Sequence, residues 1–254
     1  MKSYSDVRVV VEFGKKIFKK RYFFENSKSV IDKEYVKSLK LHYLSNDSTM
    51  YYYPKPLSKS DYFITYEFLD DFIQLDEYIF KNLNLFKGIN FLKLELIFKK
   101  LGNSLFEIHK SLILPNFEKL DDNISLGKKV FLYGDLGLSN ILIKSEKIIL
   151  IDSSRNTLNK TIYTYGSIYF DLAYFKFQLF NLYPLKYLFF INTNILNNLF
   201  DIFIDSYFVN SDVDFDFKIL NLYYEHIKLS YISNLKLDLS IKNLIWRLIL
   251  KWKK

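Results

Sequence analysis

Cysteine is absent from the 254 residues, and with it any disulfide framework or thiolate zinc site. Histidine is scarce. Only His42, His109 and His226 occur, and no two lie three to five residues apart. That removes the helical His pair of many zinc enzymes. Glycine (7) and proline (4) are too few for a collagen-like chain, and no internal repeat or low-complexity segment is evident. Long apolar runs are also missing. The most apolar stretch, Leu172 to Ile204, is interrupted by Lys176, Gln178, Asn181 and Lys186. A bilayer-spanning helix needs roughly 20 uninterrupted apolar residues. Met1 to Val11 has no apolar run followed by a small-residue cleavage site. The chain therefore reads as cytoplasmic, with no transmembrane segment.

What is present is globular. Half of the residues are hydrophobic and a quarter are charged, which excludes a disordered chain. The length suits one large domain or two small ones. Lys plus Arg is 36 and Asp plus Glu is 28, giving a net charge of +8. Arginine is limited to Arg8, Arg21, Arg155 and Arg247, and the chain is rich in Lys, Asn, Ile, Phe and Tyr. An AT-rich genome produces that bias, so the charge reads mostly as background. The second reading is an anionic partner such as nucleic acid, a phosphorylated substrate or an acidic membrane surface. The densest basic run is Lys15 to Arg21.

The first third of the chain alternates like strands. Val7 to Phe13 and Ile17 to Phe24 flank a turn at Gly14-Lys15, a hairpin signal. Asp32 to Leu44 has near-helical apolar spacing. Met50 to Tyr53 reads as a strand stopped by Pro54 and Pro56, and Tyr62 to Leu69 as another. Helical spacing then covers Phe72 to Phe86 and Ile89 to Ser111. A hairpin follows at Ile141 to Ile151, and helices run from Tyr169 onward. The pattern predicts a sheet-rich region over 1–69 and a larger helical region over 70–254.

The chemistry concentrates between Tyr133 and Asp152. Asp135 and Asn140 are five residues apart in a loop holding Gly137. Asn140 opens an apolar strand, and the return strand ends at Asp152. Antiparallel pairing would put Asn140 and Asp152 at one end of the hairpin, with Asp135 in the loop leading to it. Two carboxylates and an amide oxygen would then converge. Mg²⁺ takes such oxygen ligands together with substrate phosphates. A further carboxylate off the metal suits orienting a hydroxyl and accepting its proton.

These residues resemble the aminoglycoside phosphotransferase and choline kinase family. The carriers are Tyr133-Gly134-Asp135 with Asn140-Ile141-Leu142, then Ile151-Asp152, then Asp171-Leu172-Ala173, with Leu105 to His109 upstream. The resemblance implies an α+β, two-lobed protein-kinase-like fold and ATP-dependent phosphoryl transfer to a hydroxyl of a small molecule or sugar. It implies Asp135 as catalytic base, Asn140 and Asp152 as Mg²⁺ ligands, and Asp171 as a structural holder of the catalytic loop. In the small lobe it implies a phosphate-holding lysine paired with Glu34. Lys19 and Lys20 compete for that role, because alternation sends them to opposite faces; Lys20 is preferred, since it shares a face with Phe18. Backbone groups at Glu67 and Leu69 are expected at the adenine edge. No specific nucleic-acid partner is expected.

Some residues depart from the family pattern. Tyr133 stands where His is usual, and Ser153-Ser154 follows Asp152 in place of Phe-Gly. Gly14 is the only glycine before position 88, and one clear strand precedes Lys20 where the family has two. These features favour the rival reading, a pseudokinase-like binding module without turnover. Simpler roles compete at other positions. His109 lies on an apolar helix face, as a core histidine would. Trp246 and Trp252 fit a terminal amphipathic helix over Lys242 to Lys254. Asp201, Asp205, Asp212, Asp214, Asp216 and Glu225 either line a pocket for a cationic acceptor or merely solvate helices.

Overall fold

The computed structural model describes residues 5–23, 27–83, 90–115, 118–119, 124, 126–153, 164–181 and 193–235. The expected tail helix with Trp246 and Trp252, and the break at Pro184, lie outside the described residues.

The chain opens with a hairpin, β1 (Ser5–Glu12) and β2 (Lys15–Tyr22), in the register Glu12↔Lys15. Its two turn residues are Phe13 and Gly14, both at positive φ (51° and 75°). That is the backbone a two-residue hairpin turn requires, and it lies one residue earlier than the glycine implied. Helix α1 (Ser27–Asn46) follows, then β3 (Tyr51–Tyr52), β4 (Pro56–Lys59) and β5 (Phe63–Glu67). The first sheet has the order β1-β2-β5-β4. Pro56 begins β4 instead of stopping a strand, which is tolerated because β4 is an edge strand. Tyr22, Ile31 and Ile64 form the small core between this sheet and α1.

The rest of the chain is mainly helical. β6 (Ile73–Gln74) leads into α2 (Leu75–Asn82) and α3 (Phe91–Ser111). The short strands β7 (Glu118–Lys119) and β8 (Lys129–Phe131) precede the loop holding Asp135. A 3₁₀ turn at Leu138–Asn140 opens the hairpin β9 (Ile141–Lys144) and β10 (Lys147–Leu150). β11 (Thr164–Ser167), α4 (Ile168–Asn181), α5 (Thr193–Phe208) and α6 (Phe217–Leu235) complete the described elements. The second sheet has the order β3-β10-β9-β6 and the third β7-β11-β8. β3, which precedes the expected boundary at residue 69, thus pairs in parallel with β10 of the helical region.

The large core is aromatic. Phe175 packs on Phe203, with centroids 4.7 Å apart, and on Phe98. Helix α4 is buried on nearly every side. Gly102 lets α3 approach α5, since a Cβ there would run into the Phe203 carbonyl oxygen and lie 3.0 Å from Ser206 Cβ. Asp216 caps α6, accepting from the N–H groups of Lys218 and Ile219. Among the described residues, no helix is long and apolar enough to cross a membrane.

Candidate active site

The β9–β10 register pairs Ile141 with Leu150, and the Ile151 N–H donates to the Asn140 carbonyl at 2.9 Å. Asn140 therefore faces Ile151, and Asp152 lies one residue further at the same end. The tight turn Ser145-Glu146 holds this hairpin with both residues at positive φ (47° and 65°). Asp152 itself adopts φ 54°, a left-handed conformation that turns the chain sharply where its carboxylate is displayed.

Lys20 joins the two regions. Its ammonium donates to Glu34 Oε1 at 2.8 Å and to Asp152 Oδ1 at 2.6 Å. Burial works against this charge, but Asp152 and Glu34 outweigh it and hold Lys20 above the ordinary lysine range. Lys19 faces the other way, donating to Glu12 at 2.9 Å and lying over the Phe63 ring. Strand alternation thus separates the two candidates. Phe18, on the Lys20 face, stacks on Phe68 with centroids 5.1 Å apart.

Asp135 is held at both ends. Its backbone carbonyl accepts from the Gly137 N–H at 2.8 Å and from Asn140 Nδ2 at 3.1 Å. Its Oδ1 accepts from the Tyr174 hydroxyl at 2.8 Å. Burial, reinforced by the negative charge of Asp152, pushes the Asp135 carboxyl up to about 8.

Helix α4 fixes the loop that carries Asp135. Asp171 is fully buried. Its Oδ2 accepts from the Tyr133 N–H at 2.7 Å and from His109 Nε2 at 2.9 Å; its Oδ1 accepts from the Gly134 N–H at 3.0 Å. His109 Nδ1 meets the Tyr207 hydroxyl at 2.7 Å, so this imidazole is a satisfied core group. Gly134 sits at φ 100°, a conformation that side chains rarely adopt, and a Cβ there would lie 3.3 Å from the Ser153 carbonyl oxygen.

Glu67 behaves differently from expectation. Its N–H donates to the Lys55 carbonyl at 3.0 Å, so that group is not the one an adenine edge would meet. The β4–β5 pairing claims it. Its carboxylate accepts from the Lys55 N–H at 2.6 Å and from the Tyr52 hydroxyl. Leu69 is half-buried just beyond the end of β5.

The sequence reading missed several residues here. Lys37, one turn after Glu34 on α1, is buried and donates to the Tyr133 carbonyl at 2.8 Å and the Ser153 carbonyl at 2.6 Å. Desolvation brings its ammonium down to about 8. Tyr66, Ser38 and Tyr53 continue a polar chain from Glu34 to Ser153, in steps of 3.3, 3.1, 3.3 and 3.2 Å. With Lys20 bridging Glu34 and Asp152, the chain closes into a ring around the cleft. The acids of the helical region have other partners. Asp212 pairs with Lys128, and Asp216 is the α6 cap.

Sheet, helix α1, central hairpin and helical region together define a protein-kinase-like fold. No family model and no curated protein matches the sequence. Solved structures do match the fold. An amicoumacin kinase in complex with AMP-PNP and Ca²⁺ aligns at a TM-score of 0.67 and 10% identity, over 100% of this chain and 86% of that one. A choline/ethanolamine kinase family protein from Mesorhizobium loti aligns at 0.57 and 10%, over 98% and 87%. The ethanolamine kinase of Plasmodium vivax aligns at 0.55 and 13%, over 97% and 80%. The chain thus has the fold of these small-molecule kinases.

Proposed function

We propose that the chain is an ATP-dependent phosphotransferase acting on a hydroxyl of a small molecule or sugar. The observation that carries this reading is the Lys20 ammonium, bridged between Glu34 and Asp152 beside the Asp135 loop. These groups come from distant parts of the chain, and a purely structural ion pair would not require Asp135 and Asn140 alongside.

In this reading Lys20 holds the nucleotide phosphates and Glu34 fixes Lys20. Phe18 and Phe68 offer flat apolar surface for a base, and the hinge after β5, near Leu69, meets its edge. Asn140 and Asp152 present an amide and a carboxylate oxygen, hard donors that fit Mg²⁺. Bound there, the metal would neutralise charge on the phosphates. Asp135 orients the acceptor hydroxyl. The acceptor oxygen bonds to the γ-phosphorus, the bond from that phosphorus to the β,γ-bridging oxygen breaks, ADP departs, and the hydroxyl proton passes to the Asp135 carboxylate. Catalysis of this kind is positioning and electrostatics. The cytoplasm, where ATP is abundant, is the proposed setting.

A screen for acceptor-dependent ADP release across amino alcohols, aminoglycosides and sugars tests the reading. At least one alcohol should stimulate ADP release. The second reading, a binding module without turnover, draws on the small sheet: among the described residues no strand precedes β1 and the hairpin tip is Phe13-Gly14. A thermal shift with Mg·ATP but no ADP release with any acceptor would favour it.

A further inference from the structure

Helix α4 reaches the catalytic loop twice. Asp171 takes the backbone N–H groups of Tyr133 and Gly134. Tyr174, three residues later and on the same face of the helix, reaches the side chain of Asp135. The geometry points to Tyr174 as a positioning residue of the phosphotransfer site, one that holds Oδ1 of Asp135 so that Oδ2 is presented to the acceptor hydroxyl. This rests on the proposed role of Asp135 as base.

A carboxylate turns about its Cβ–Cγ bond, and its two oxygens exchange unless one is engaged. The Tyr174 hydroxyl donates to Oδ1 at 2.8 Å. Tyr174 is itself rigid: it is 3% exposed and lies parallel to Phe170, at an interplanar angle of 8°. Asp171 ties the same helix to the backbone two residues before Asp135. Loop and carboxylate therefore share one reference frame. A hydroxyl donating to a carboxylate forms a charge-assisted bond, so the lock is strongest when the base is ready to take a proton. Gln178, one further turn along, lies beside Gly137, so the Tyr174 face of α4 borders the loop along its length.

Tyr174→Phe removes one oxygen and keeps the ring in its packing. The test compares wild type, Tyr174→Phe, Asp135→Asn and the double variant, reading ADP release with water as acceptor and with the best alcohol of the screen. Tyr174→Phe should lower kcat roughly 10- to 100-fold, the range for a hydrogen bond to a charged group. KM for ATP should change less than about twofold, and the thermal midpoint should stay within about 2 °C. In the Asp135→Asn background the same change should have no further effect, because Tyr174 acts through that carboxylate. A kcat equal to wild type, or a loss that adds in full to that of Asp135→Asn, would overturn the inference. A wild-type protein that releases no ADP overturns the phosphotransferase reading, and this inference with it.

Discussion

Replacing Asp171 by Ala should unlatch the catalytic loop, and the cost can be worked from the contacts. The side chain is fully buried and accepts three hydrogen bonds, from the Tyr133 N–H, the Gly134 N–H and His109 Nε2. Alanine leaves these three donors facing an apolar gap. Each unsatisfied buried donor costs about 1–3 kcal/mol. Relief of the carboxylate's own desolvation offsets part of the sum, so about 3–5 kcal/mol is expected, the usual result of breaking a buried polar cluster at one partner. For a chain of this size that lowers the melting temperature by roughly 10 °C. Asp171→Asn keeps one acceptor oxygen and should lose about 1–3 kcal/mol. Thermal unfolding of both variants gives the totals, and amide exchange at Tyr133 and Gly134 gives the location. A loss under about 1 kcal/mol in Asp171→Ala, or unchanged exchange at those amides, would refute the reasoning.

Lys20→Met strands Glu34 as a buried carboxylate and leaves Asp152 without its cation; titration calorimetry should show Mg·ATP affinity falling at least about tenfold, with a stability loss of about 3–5 kcal/mol. Gly102→Ala should cost more than about 2 kcal/mol by chemical denaturation, because the new methyl meets the α5 backbone. The pH dependence of the metal-free protein carries a further signature. The Asp135 carboxyl is held at about 8 against an ordinary value of 3.8, so the fold binds the extra proton between those limits. Its stabilising contribution is complete below about pH 4 and is lost as pH rises through 8, at a slope of at most about 1.4 kcal/mol per pH unit. Thermal midpoints of wild type and Asp135→Asn from pH 5 to 8 in a chelator should converge with falling pH; parallel curves would contradict it.

The parts of the site that were legible in the sequence are local. Asp135, Asn140 and Asp152 sit around one hairpin, and strand pairing alone brings two of them to a common end. Lys20 was separable from Lys19 only by the face it shares with Phe18. What escaped notice is long-range. Lys37 meets its two carbonyl partners across 96 and 116 positions of the chain. The buried face of α1 is largely polar, with Glu34, Lys37, Ser38, His42 and Ser45, so apolar periodicity carries no trace of it and starts the helix five residues late. Tyr174 reads as one more aromatic in a buried helix, and only its hydroxyl contact with Asp135 distinguishes it. β4, β7, β8 and β11 have four residues or fewer, too short for alternation to register. The turn at Phe13-Gly14 escaped because phenylalanine gives no sign of a positive φ.

The central claim is that Asp135 is the base of a phosphoryl transfer. The most direct measurement is transfer of labelled γ-phosphate from ATP to the acceptor found by screening, for wild type and Asp135→Ala at saturating Mg·ATP. The account predicts a drop of about 100-fold or more in kcat with nucleotide affinity nearly unchanged. Transfer by Asp135→Ala at the wild-type rate would contradict it.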